Sequence, residues 1–279
     1  MNQSGYMAKS PTDDDLEPPA WRRLAKDAYY VLIPIVVVLV FWQMFAKMSG
    51  ISPVLFPPLE NIWNALVHTA TEGTLWADLG GTFLRLFKAV AAGSVIGTII
   101  GALMGYFRDW ERAFVGPLNF LLAIPGTALF PLTMIWFGLT EMAILSILIY
   151  EVSLTVMANT WSGVKSIDVS LIRAARAFGA NGASMFWRVL LPSAMPSIIS
   201  GYRLAFSRAW RIVIIAEMLV SVSAGLGYRL FWAREFFQTE IVYATLLTIG
   251  ITGLLFERLV LRSAEAMTVN RWGTVRELE

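Results

Sequence analysis

Apolar residues along this chain gather in runs of about 20, the length a helix needs to cross roughly 30 Å of hydrocarbon at about 1.5 Å per residue. The runs predict helices at about Tyr29 to Lys47, Thr82 to Tyr106, Phe114 to Phe137, Glu141 to Trp161, Ser197 to Val220 and Ile241 to Leu261. The pattern is that of an all-α integral membrane protein with about six transmembrane helices. Before the first run, Pro11, Asp13, Asp14, Asp15, Glu17, Pro18 and Pro19 make residues 1–27 too polar and Pro-interrupted to pack, so they read as a flexible tail. No charged segment directly precedes an apolar core at Met1, so the first run is expected to stay as an anchor. Residues 28–265 then form one transmembrane domain and 266–279 a C-terminal tail.

Breaks in the periodicity add detail. Gly93, Gly97, Gly101 and Gly105 recur every four residues in the second run, a small-residue stripe that lets another helix backbone approach closely. Pro125 and Pro131 interrupt the third run, each removing a backbone donor and bending the helix; bent spans either line a pathway or are static kinks filled by packing. Between the first two runs, Pro53, Pro57 and Pro58 precede a stretch with Ile62, Trp63, Leu66 and Val67 along one face, expected as an amphipathic helix at the outer surface.

Charge sets the topology. Only 15% of residues are charged and the net charge is +2, which gives no footprint for nucleic acid. Trp21-Arg22-Arg23 with Lys26, the loop Arg108 to Arg112, the segment with Lys165, Arg173, Arg176 and Arg188, and the tail with Arg271 and Arg276 all fall on one side of a six-span chain. By the positive-inside rule that side is the cytoplasm, with both termini. Arg85 and Lys88 break the rule at the outer end of the second run; the plainer expectation is that they snorkel to headgroups, the alternative a cationic outer mouth. Zero Cys and a lone His68 exclude disulfides and a histidine or thiolate metal cluster, and no Ser-His pairing or other catalytic constellation is visible.

The segment 166–196 is too long and polar for a simple turn. Apolar Ala174, Ala175, Ala177, Phe178, Phe186, Trp187 and Leu190 intermix with Arg173, Arg176 and Arg188, Gly179 and Gly182 break the run, and Pro192 ends it, which predicts two short amphipathic helices joined by a bend. Arg173-Ala174-Ala175-Arg176-Ala177-Phe178-Gly179 followed by Val189-Leu190-Leu191-Pro192 resembles the cytoplasmic EAA loop of bacterial ABC importer permeases. Arg173 stands where that pattern has Glu. Further stretches resemble the nitrate, sulfonate, taurine and bicarbonate branch of these permeases: Ile124-Pro125-Gly126 through Trp136-Phe137-Gly138, Gly201-Tyr202-Arg203-Leu204, Arg208-Ala209-Trp210, Ala216-Glu217, Gly225-Leu226-Gly227 and Phe236-Phe237-Gln238-Thr239.

The resemblance implies a type I ABC importer permease (MetI-like) fold in the inner or plasma membrane, a second copy of the chain, two ABC ATPase subunits and an extracytoplasmic solute-binding protein. It implies that Arg173, Ala174, Ala175, Arg176, Gly179, Leu191 and Pro192 belong to the ATPase-coupling segment, and that ATP and Mg act in the partner subunits with no cofactor on this chain. The absence of a GxxxxGK phosphate loop agrees with a transport subunit that is not itself an enzyme.

Ionisable residues inside the runs are costly and mark pathways or buried pairs. Arg203, Arg208 and Arg211 in the fifth run are spaced for one broad cationic face, with Glu217 further along; Glu151 lies mid-way along the fourth run and Asn159 two turns beyond it. With Pro125 these are the candidate translocation residues. One reading has Glu151 and Glu217 neutralising the arginines; the other has an arginine meeting an anion in transit, by alternating access, with nitrate, sulfonate, taurine or bicarbonate as solute and a zwitterion or neutral solute also open. A different class, an ion-coupled secondary transporter, would use Glu151 and Glu217 as protonatable carriers.

Overall fold

The computed structural model describes residues 20–220 and 223–258, with side chains from Tyr29 onward apart from Val31. The expected C-terminal tail, with Arg271 and Arg276, and residues 1–19 lie outside the described residues, as does the end of the sixth run at Leu261. Every regular element among the described residues is helical. α1 (Ala20–Met48) begins inside the stretch expected as tail. The chain divides at Asn61 into two compact units.

In the first unit the chain after α1 folds back on it. The Trp42 indole stacks on Phe56 at 4.1 Å and donates to the Pro57 carbonyl at 3.1 Å, while Lys47 pairs with Glu60 at 2.9 Å. The prolines in this return segment suit it, since they need no backbone donor partner. Most apolar side chains of α1, such as Val37, Val38 and Phe41, are exposed.

The second unit takes in most of α2 (Leu59–Thr71), then α3 (Thr74–Tyr106), α4 (Arg108–Ala123), a 3-10 turn (Gly126–Leu129), α5 (Phe130–Phe137), α6 (Glu141–Lys165), α7 (Val169–Ala177), α8 (Gly182–Met185), a π turn (Phe186–Leu190), α9 (Leu191–Leu219), α10 (Leu226–Glu235) and α11 (Thr239–Phe256). In α2 the four residues expected on one face part company: Ile62 is buried and Leu66 packs on the core, whereas Trp63 and Val67 are exposed.

The core lies where α3, α6 and α9 meet. Leu86 and Ala89 of α3, Ile144, Leu148, Val152 and Val156 of α6, and Ala205, Ala209 and Val213 of α9 are buried together. Small residues set the spacing. A Cβ on Gly97 would stand 2.5 Å from the Ser153 carbonyl oxygen, one on Gly101 2.5 Å from that of Met157, and Gly93 and Gly105 abut Val152 and Val164. All four stripe glycines therefore face α6, at a backbone separation no larger residue permits.

Among the described residues the helices account for three or four of the six expected spans. α3, α6 and α11 are long and apolar enough to cross a membrane, and α4 with the 3-10 turn and α5 makes a fourth if that pair, bent by 86°, counts as one. α1 is 29 residues long, with Leu32–Met48 as its described apolar part, and α9 carries Arg203, Arg208, Arg211 and Glu217 along its course. The 86° bend sits at Ile124-Pro125, where both residues are extended and the helix ladder is interrupted.

Candidate functional site

Two regions concentrate polar chemistry in the second unit. The first lies where α6, α9 and the Pro125 break converge. Glu151, Thr155 and Asn159 are spaced four apart and share one face of α6. Opposite them Arg208 of α9 places Nη1 3.6 Å from Glu151 Oε1 and 3.5 Å from the Thr155 hydroxyl. Pro125 ends one helix so that Gly126 passes over Glu151, where a Cβ would stand 2.8 Å from Oε2. Asn159 donates back to the Thr155 carbonyl at 2.8 Å and packs against Gly201.

The structure thus brings Glu151, Asn159, Pro125 and Arg208 together and places Arg211 and Glu217 apart from them. Arg211 bonds the Ser207 carbonyl and borders a different cavity of about 350 Å³, shared with Trp210, Gly253 and Glu257. Arg203 is half-buried. Arg208 and Arg211 of α9 thus project toward different neighbours.

Glu217 lies in a separate buried network. Arg85 donates to Glu217 at 2.8 Å, to Glu141 at 3.0 Å and to the Ala224 carbonyl at 2.7 Å. Thr82 donates to Glu217 at 2.9 Å and accepts from the Leu226 amide at 3.0 Å; the Gly227 amide donates to Glu217 at 3.0 Å. Asp78 accepts from the Gly225 amide at 2.9 Å and pairs with Arg229. Arg85 is 3% exposed, so it does not snorkel or form an open cationic mouth; Lys88, one turn on, is exposed. The network also explains why α3 starts about two turns before its apolar run: Asp78 and Thr82 find partners inside the protein. Asp78, Thr82, Glu141 and Arg229 had no mark in the sequence beyond Arg85 itself, because their partners are 56 to 151 residues away.

The second region is the segment from Asp168 to Pro192. Val169, Leu171 and Phe178 are exposed, while Ile172 and Ala175 pack on a small core of Val164, Met185, Leu190, Ala194 and Ile198. Arg173, Ala174 and Arg176 are exposed, and Leu191 and Pro192 open α9 half-buried. The end of α7 is a Schellman turn: Gly179 at φ +85° donates to the Arg176 carbonyl, and the Ala180 amide reaches the Ala175 carbonyl at 3.0 Å. At the start, the Asp168 carboxylate accepts from the Ser170 amide at 2.7 Å, a bond that holds its pKa below the usual carboxylate value. A lowered folded pKa means that the cap stabilises above the unfolded value and is lost as pH falls through the folded one. Asp168→Ala is expected to destabilise α7 locally, with Asp168→Asn near wild type, read as faster amide exchange across Leu171–Ala175.

Known proteins share this architecture. Residues 93–276 match the family described as binding-protein-dependent transport system inner membrane component. A putative ABC transporter permease protein of Methanocaldococcus jannaschii is 33% identical, over 78% of this chain and 83% of its own. The taurine transport system permease protein TauC of Escherichia coli is 31% identical over 85% and 88%, and the putative aliphatic sulfonates transport permease protein SsuC of the same organism 32% over 80% and 84%. A structure of the MetNI methionine ABC transporter in an inward-facing form superposes with a TM-score of 0.60 at 20% identity, covering 71% of this chain and 95% of that one, a likeness of fold.

Proposed function

The chain belongs to the binding-protein-dependent transport system inner membrane component family, and from that membership we propose that it is the permease subunit of an ATP-driven ABC importer for sulfonate- or taurine-type solutes. Relatives so described match it at 31–32% identity over four fifths or more of its length. In this reading the chain sits in the inner membrane with both termini cytoplasmic and pairs with a second copy. Two ATPase subunits bind and hydrolyse ATP with Mg, and an extracytoplasmic solute-binding protein delivers the solute. The ion-coupled alternative draws no support, since Glu217 is held by Arg85, Thr82 and the Gly227 amide.

The observation that carries the mechanism is the exposed helix α7, docked by Ile172 and Ala175 and capped at both ends, with Val169, Leu171 and Phe178 turned outward. A short rigid helix of this kind suits a groove on an ATPase subunit. ATP-driven closure of the ATPase pair would move it, and α6 and α9, between which it is strung, would carry the motion to the Glu151–Arg208 region and switch access from one side to the other.

The test is copurification. Tagged chain taken from its native membrane in mild detergent should bring down a Walker-type ATPase at equal stoichiometry. Gly179→Val, which forces a β-branched residue into φ +85°, should cut that ATPase and the solute-stimulated hydrolysis at least tenfold while chain yield holds. Recovery of the chain alone from wild-type membranes, or full ATPase with the Val variant, would overturn the reading.

A further inference from the structure

We infer that Glu151 and Arg208 together form a subsite for a zwitterion, a short solute bearing an ammonium group and a sulfonate a few bonds apart, in preference to a plain anion; this rests on the permease reading above. The argument begins with a contrast between two ion pairs of the same chain. Arg85 and Glu217 are in contact at 2.8 Å, and hydrogen bonds from Thr82 and the Gly227 amide, with the Ala224 carbonyl, complete their bonding. Glu151 and Arg208 stand 3.6 Å apart, beyond hydrogen-bond distance. The Glu151 side chain is only 17% exposed, yet among the described residues it accepts no hydrogen bond, and the guanidinium opposite reaches the Thr155 hydroxyl only at 3.5 Å.

A pair that serves only to hold helices closes until the lone pairs of its buried carboxylate are used, because a carboxylate left short of donors in a low-dielectric interior is costly. This pair leaves the largely buried Glu151 carboxylate without a donor, and the Arg208 guanidinium, 41% exposed, open to a third group. A plain anion drawn to Arg208 meets the Glu151 carboxylate a few ångströms away, and a plain cation drawn to Glu151 meets the guanidinium. A zwitterion gives its sulfonate to Arg208, in the fork geometry suited to an oxyanion, and its ammonium to Glu151. It also carries no net charge across the membrane, which lowers the cost of passage. Gly126 lets the backbone pass close over Glu151 Oε2, where a Cβ would stand 2.8 Å away and press on the carboxylate.

The test uses the permease assembled with its ATPase in lipid nanodiscs, without the binding protein, so that only this chain's selectivity is read. Taurine, ethanesulfonate and ethylammonium are titrated at millimolar concentration by saturation-transfer NMR. Wild type is expected to bind taurine at least tenfold more tightly than either half-molecule. Glu151→Gln should weaken taurine about tenfold and leave ethanesulfonate equal or tighter, while Arg208→Gln should abolish binding of both sulfonates. Ethanesulfonate binding within threefold of taurine in wild type, or equal weakening of both by Glu151→Gln, overturns the inference. If Arg208→Gln and Glu151→Gln leave every affinity and uptake unchanged, the pathway reading of this cluster fails instead. Should Glu151→Gln not assemble, Glu151→Asp, expected to keep the taurine preference, and Gly126→Ala, expected to reduce it several-fold by pressing on Oε2, carry the same decision.

Discussion

Arg85→Met is expected to cost the folded chain about 3–5 kcal/mol, the largest effect of any single change considered, because it leaves Glu217 buried with its countercharge gone. Glu217 is 1% exposed, and its other donors, Thr82 and the Gly227 amide, are neutral. The loss should appear as failure to accumulate as a monodisperse species in detergent, or as a strongly lowered thermal midpoint followed by tryptophan fluorescence. The double variant Arg85→Met with Glu217→Gln should recover much of the loss, since a neutral amide keeps bonds to the same donors without an unpaired charge. Glu141→Gln should be mild, because its side chain is 52% exposed and water replaces what it loses. A wild-type midpoint for Arg85→Met would refute the assignment of this network as the clamp between α3, the end of α9 and the start of α10.

The second large effect is steric. Gly97→Ala places a Cβ 2.5 Å from the Ser153 carbonyl oxygen and 3.0 Å from the Met157 amide nitrogen, both backbone atoms of α6, so the helices must separate. A cost of about 1–3 kcal/mol is expected for Ala and more for Val. Gly80→Ala on the same helix is the control: nothing stands within 4 Å of its Cβ, and the helix propensity of Ala predicts a gain of up to about 1 kcal/mol. Thermal midpoints of the three variants in one detergent decide it, and equal midpoints for Gly97→Ala and Gly80→Ala would show that α3 and α6 do not pack through the stripe.

Some of the candidate site was readable from spacing within single elements. Glu151, Thr155 and Asn159 share a face because helical residues four apart always do, and Pro125 breaks its helix because it lacks a donor. The Asp168 to Pro192 segment was marked by Gly179, Gly182 and Pro192, each of which acts on its own backbone. Partners across elements were not readable. Arg85 read as a residue that snorkels to headgroups because it stood near the end of an apolar run, and its true partners come from α6, α9 and the loop before α10. The arginines of α9 looked like one group because about 100° per residue leaves 203, 208 and 211 within a broad arc, yet which helix fills each part of that arc depends on α6 and α11.

The sequence by itself determined the elements that local covalent structure and periodicity control: apolar runs that must be helical in lipid, the glycine stripe, the Pro break at 125, the capped segment after α6 and the motif order that marks the family. Only the tertiary structure decided that Arg85 and Glu217 belong to one clamp, and that Glu151 faces Arg208 across a gap neither one closes. The physical reason is range. Helix formation and breaking depend on neighbours a few residues away, whereas the cost of burying a charge is set by whatever the fold brings beside it from more than a hundred residues off.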